Sequence, residues 1–111
     1  TVWSGNDGST AAIMALGGKG VISVAANVVP REMHELTQLC LENRFLEAGT
    51  LQLKLHELIR ALFCEVNPIP VKTSMELLGL CGGELRLPLC RMSERHLEQL
   101  SHALEPFRPA V

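Results

Sequence analysis

The chain has no tyrosine, a single tryptophan and only three phenylalanines among its 111 residues. No phenol is therefore present to relay a proton or to act as a nucleophile. Lysine is scarce as well, at Lys19, Lys54 and Lys72, and none of the three stands in an apolar strand that would lower its pKa and make it a nucleophile. No window approaches the roughly 18 consecutive apolar residues of a membrane-spanning helix, and no basic region followed by an apolar stretch marks a signal peptide. The formal net charge of −2 leaves neither a basic footprint for nucleic acid nor a polybasic patch for anionic lipid. Cys40, Cys64, Cys81 and Cys90 show no CxxC spacing and little clustering with histidine, which argues against a zinc site and a disulfide framework. Reduced thiols in a cytoplasmic protein are expected.

What remains is ordinary globular composition, 47% hydrophobic and 20% charged, arranged in two contrasting halves. In the first, Val2 and Trp3 read as the end of a strand. Ser4-Gly5-Asn6-Asp7-Gly8 then forms a loop, with Asn6 and Asp7 as turn and N-cap residues, and Ala11 to Leu16 reads as a helix. Gly17 and Gly18 stop that helix. Val21 to Val24 is short, β-branched and apolar on both faces, as in a strand buried within a parallel sheet. Ala25 to Val29 is a loop, and Pro30 suits the first turn of a helix running to about Asn43. The order spells a βαβα unit whose strands are parallel neighbours. Two such strands cannot close a sheet alone, and the chain opens on Thr1 inside strand-like sequence. A C-terminal piece of a longer α/β protein is therefore expected.

The second half changes character. Leu51, Leu55, Leu58, Ile59 and Leu62 form an i, i+4, i+7, i+8, i+11 stripe, with Lys54, Glu57 and Arg60 among the polar positions, which predicts an amphipathic helix over residues 45–63. Asn67-Pro68-Ile69-Pro70 predicts an extended break. A shorter helix with Val71, Met75 and Leu78 follows, ended at Gly79 or at Gly82-Gly83. Leu85 to Leu89 is extended around Pro88. Ser93 caps a last helix bearing Leu97, Leu100 and Leu104, which Pro106 stops.

Loops that follow parallel strands lie where α/β folds bind ligands. Gly5 would let a substrate approach the backbone, and Asn6 and Asp7 could hydrogen-bond it, although a capped turn without a ligand explains the same residues. Gly17-Gly18-Lys19-Gly20 lacks the spacing of a phosphate loop and precedes a strand, on the opposite, stability-related face. His34, His56, His96 and His102 are spread over three helices without a visible partner that would make any of them a general base.

Three segments together carry a resemblance: Ser4-Gly5-Asn6-Asp7, then Ala15 through Val28 with its Gly17-Gly18-Lys19-Gly20-Val21-Ile22-Ser23-Val24 centre, then Pro30-Arg31-Glu32-Met33. With Leu62-Phe63, Glu65-Val66-Asn67-Pro68-Ile69-Pro70-Val71-Lys72 and Leu85-Arg86-Leu87-Pro88-Leu89 following in order, nearly the whole chain resembles the dihydrodipicolinate synthase family. The resemblance implies an α/β fold: the last two βα units of a (β/α)8 TIM barrel over residues 1–43, then a C-terminal helical domain over residues 44–111, mostly α by residue count. It implies a cytoplasmic lyase that condenses pyruvate, held as a Schiff base on a lysine, with aspartate semialdehyde in lysine and diaminopimelate biosynthesis. No metal or organic cofactor is implied, and the family is a homo-oligomer, a tetramer. The Schiff-base lysine and the proton-relaying tyrosine belong to earlier strands, so no catalytic residue is expected in this chain, which alone would be inactive. The substrate-binding positions that carry over are Ile22, whose main chain contacts pyruvate, and Gly5, which lines the pocket of the second substrate. Asn6 stands where the family often has Asp. The rest of the synthase polypeptide is the expected partner. The competing reading is a non-catalytic helical interaction module derived from that family.

Overall fold

In a computed structural model of the chain, residues 1–108 are described. Residues 109–111, the end of the expected second domain, lie outside them. Among the described residues five α-helices follow one another: α1 (Thr10–Ala15), α2 (Pro30–Leu41), α3 (Phe45–Leu62), α4 (Ile69–Leu77) and α5 (Glu94–Leu104), with short 3-10 turns at Asp7–Ser9, Ala25–Asn27 and Glu105–Phe107.

The helices form where the apolar period predicts them. On α3, Leu55, Leu58, Ile59 and Leu62 are buried and Leu51 is half-buried; at 3.6 residues per turn they share one face. That face meets Met33, Leu36 and Cys40 of α2 and Leu100 and Leu104 of α5 in one apolar cluster. Helix α3 is the central element, packing against α1, α2, α4 and α5. Pro30 occupies the first turn of α2, where its missing N–H is not needed. Ser93 caps α5 through its side chain, which accepts from the His96 N–H.

Helix ends follow from backbone chemistry. Gly17 takes φ 106° after α1, and Gly79 takes φ 74° after α4, both in a region that side chains make costly. At Gly79 the Leu80 N–H reaches back to the Met75 carbonyl at 2.9 Å, closing the helix end with a six-to-one bond. The break predicted at residues 67–70 is shorter than expected. Pro68 stands at the N-cap, and Pro70 lies inside the first turn of α4, since proline disrupts a helix only where its N–H would be used.

The two predicted strands are corrected by the structure. Among the described residues no strand forms. One parallel bridge joins Ser4 to Val21, supported by Ser4 N–H to the Gly20 carbonyl, Ile22 N–H to the Ser4 carbonyl and Lys19 N–H to the Val2 carbonyl, each 2.9 Å. The parallel pairing and its order are as read, but Val21–Val24 is not a buried strand: Ile22 is 77% exposed and Val2 is 64% exposed. A parallel strand acquires its ladder from neighbours on both edges and its burial from layers on both faces. Among the described residues each segment pairs only with the other, and Val2, Trp3 and Ile22 stay exposed.

Candidate functional site

The bridge aligns two loops. Ser4 immediately precedes Gly5, and its partner Val21 immediately precedes Ile22, so the parallel pairing delivers both predicted substrate-binding residues to the same end of the pair. Gly5 is exposed, and nothing lies within 4 Å of where a Cβ would stand. The Ile22 N–H already donates to the Ser4 carbonyl at 2.9 Å. A main-chain contact to a ligand at Ile22 would therefore be made through its carbonyl.

The loop that bears Gly5 is folded by its own side chains. The Ser4 hydroxyl, fully buried, donates to the Asn6 carbonyl at 2.7 Å and accepts from the Asn6 N–H at 3.2 Å. Asn6 Oδ1 accepts from the Gly8 N–H at 2.8 Å, capping the first 3-10 turn, and its residue is exposed. This is the local chemistry that favours Asn and Ser at turns.

Asp7 departs from the sequence reading. It is 1% exposed, and both carboxylate oxygens are engaged. Oδ1 accepts from the Ser23 hydroxyl, and Oδ2 accepts from the Val24 and Ala25 N–H groups at 3.0 Å each. A carboxylate so enclosed is not available to hydrogen-bond a substrate. The Asp7 carbonyl accepts in turn from the Thr10 hydroxyl at 2.9 Å and from Gln52 Nε2 on α3 at 3.1 Å. Gln52 Oε1 also accepts from the Ala11 N–H at 3.1 Å. Gln52 carries no signal in the sequence, and Ser23 shows only as part of the Val21–Val24 run, because the Asp7 and Ala11 groups they meet lie far from them in the chain.

The remaining candidates stand apart from these loops. Lys19 lies in the glycine turn before the bridge, at the opposite end from Gly5, while Lys54 and Lys72 are on α3 and α4. His34, His56 and His102 are exposed on helix surfaces. His96 is corrected: it does have a partner, its Nδ1 lying 2.8 Å from Glu65 Oε2. All four cysteines are free. Burial pushes the Cys40 thiol up, and burial with the neighbouring Glu65 charge does the same to Cys64, so neither is a thiolate nucleophile at neutral pH. Among the described residues no group of His, Cys, Asp and Glu is placed to hold a metal ion, and no helix is long and apolar enough to cross a membrane.

Similarity to known proteins covers this whole arrangement. A model of the dihydrodipicolinate synthetase family matches residues 1–106. The 4-hydroxy-tetrahydrodipicolinate synthase of Methanocaldococcus jannaschii is 53% identical over 105 residues, which are 95% of this chain and 36% of that protein. The crystal structure of dihydrodipicolinate synthase from Aquifex aeolicus superposes with a TM-score of 0.94 at 48% identity, covering 96% of this chain and 36% of the other. The chloride-inhibited dihydrodipicolinate synthase from Acinetobacter baumannii, solved in complex with pyruvate, superposes with a TM-score of 0.91 at 40% identity, covering 95% of this chain and 36% of its own. The chain thus spans about 36% of the length of the curated relatives it matches.

Proposed function

The chain belongs to the dihydrodipicolinate synthetase family, of which it is a C-terminal portion, and on that premise we propose that it forms part of the substrate pocket of a 4-hydroxy-tetrahydrodipicolinate synthase. In this reading residues 1–43 are the closing βα units of a TIM barrel and residues 44–111 its C-terminal helical domain. Pyruvate is held as a Schiff base on a lysine contributed by the rest of the polypeptide, and it condenses with aspartate semialdehyde. The observation that carries the reading is the parallel pairing of Ser4 with Val21, which puts Gly5 and Ile22 at one end of the pair. That is the carboxyl end, where barrel enzymes assemble their sites.

Each residue then has a task that its geometry suits. The Ile22 carbonyl orients bound pyruvate, its N–H being held by Ser4. Gly5, with open space above its Cα, admits the second substrate close to the backbone. Asn6 carries no charge to the pocket rim, so attraction between its side chain and a substrate ammonium group is weaker than a carboxylate would provide. The exposed apolar groups at Val2, Trp3 and Ile22 are those that the remaining barrel strands would cover. A purely helical interaction module would leave the locked loops around Gly5 and Ile22 without a role.

The test is complementation. The chain is co-purified with the preceding part of the Methanocaldococcus jannaschii synthase, and condensation of pyruvate with aspartate semialdehyde is measured. Activity in the mixture, absent from either part alone, is the expected result. A stable complex of the two parts without activity overturns the reading.

A further inference from the structure

The loops bearing Gly5 and Ile22 are tied together at a single carboxylate. Three donors converge on Asp7: the Ser23 hydroxyl and the N–H groups of Val24 and Ala25, 16 to 18 residues away in the chain. An aspartate at the start of a 3-10 turn ordinarily bonds the N–H groups of its own turn. Here Asn6 performs that task through the Gly8 N–H, and the Asp7 carboxylate points away from its turn toward the second loop. Turn formation does not require that direction. Burying a carboxylate is costly unless its oxygens are satisfied, and hydrogen bonds to a charged acceptor are about twice as strong as neutral ones. The second loop is consequently held at the residue after Ile22 and at the two beyond it. The Ser23 oxygen extends the hold by accepting from the Ala26 N–H at 2.9 Å.

The same residue is gripped from the helical half. The Gln52 side chain, half-buried on α3, donates to the Asp7 carbonyl and accepts from the Ala11 N–H, both at 3.1 Å. A continuous path therefore runs from α3, whose neighbouring Leu55 is fully buried, through Gln52 and Asp7 to the loop after Ile22.

We infer that Asp7 is the positioning residue of this pocket: its carboxylate sets the reach of the Ile22 carbonyl relative to Gly5, and Gln52 anchors that setting to α3. The inference rests on the reading of Gly5 and Ile22 as pocket lining. It adds that the rim is built by a residue that never meets substrate.

Two readouts separate this inference from that reading. Amide exchange of the chain itself needs no activity. Asp7→Ala is expected to speed exchange at Val24 and Ala25 about tenfold or more, the loss of a hydrogen bond to a charged acceptor, while amides of Leu58 to Leu62 hold their rates. In the complemented enzyme, Asp7→Ala should raise KM for pyruvate by about tenfold on the same grounds with a smaller effect on kcat. Asp7→Asn, which keeps one acceptor oxygen, should recover part of the loss. Leu58→Ala, which destabilises without touching the loops, should leave that KM unchanged. Unaltered exchange at Val24 and Ala25 overturns the inference, as does faster exchange with no change in KM for pyruvate. Where Asp7→Ala does not fold, Ser23→Ala serves, and an unchanged KM in that variant overturns the inference too. A wild-type complex lacking condensation activity defeats the proposed function instead, and the exchange arm still decides whether Asp7 locks the loops.

Discussion

Glu65 and His96 are 31 residues apart in the chain and 2.8 Å apart in space, the imidazole Nδ1 against carboxylate Oε2. The same oxygen accepts from the Ser93 N–H at 3.1 Å and from the Ser93 hydroxyl at 3.2 Å. One carboxylate thus fastens the first turn of α5 to the segment leaving α3. Burial pushes the Glu65 carboxyl up, but the bonds from His96 and Ser93, with the charge of a protonated His96, outweigh it and hold the carboxyl below its ordinary value of 4.5.

A pH dependence of stability follows. The folded carboxyl is depressed, so its contribution is fully present above the ordinary value of 4.5. It declines as pH falls below that value and is gone once the depressed folded value has been passed. The wild-type chain should lose more thermal stability on acidification through this window than Glu65→Gln, whose amide does not titrate. Parallel melting curves for the two proteins over that range would contradict the assignment.

Leu58 is fully buried at the contact of α3 with its neighbours. Leu58→Ala should destabilise the chain by about 2–5 kcal/mol, the range for a large-to-small change in a core that cannot collapse fully. The urea midpoint is the measurement. A midpoint unmoved by the substitution would show that α3 does not organise the core.

Lys19 precedes the bridge at the end opposite Gly5, Lys54 and Lys72 lie on α3 and α4, and Lys19 and Lys54 are exposed. A lysine acts as a nucleophile toward a ketone where an apolar pocket or a neighbouring cation activates it, and neither Lys19 nor Lys54 is enclosed in this way. Incubation of the isolated chain with pyruvate and borohydride should therefore leave its intact mass unchanged. A stoichiometric adduct on Lys19, Lys54 or Lys72 would relocate the chemistry to this chain.

Val2, Trp3 and Ile22 around the bridge are exposed, as are Leu46 and Leu53 on α3. Unpaired main-chain edges beside apolar surface favour association. The isolated chain should sediment as an oligomer or mixture, and it should shift toward a defined complex, with a blue-shifted Trp3 emission, when the preceding part of a relative's synthase is added. A compact monomer indifferent to that addition would count against the exposed surface being an interface.

The helices were legible because their signal is local. The Leu55, Leu58, Ile59 and Leu62 spacing and the Ser93 cap depend on residues within one or two turns of each other, and the backbone follows the same arithmetic in any setting. The family was legible too, since the glycine turn, the Ile22 segment and the run from Asn67 to Lys72 survive as contiguous strings. So was the pairing order of the first half, because parallel neighbours joined by a helix admit few alternatives. Tertiary structure alone decided that Asp7 turns its carboxylate to the loop after Ile22 and not to its own turn or a ligand. It likewise decided that His96 finds Glu65, and that one parallel bridge stands where two strands were predicted. Each of these depends on groups 16 or more residues apart, or on how many neighbours a segment finds to pair with. No periodicity within a segment records which distant donor a buried carboxylate will meet.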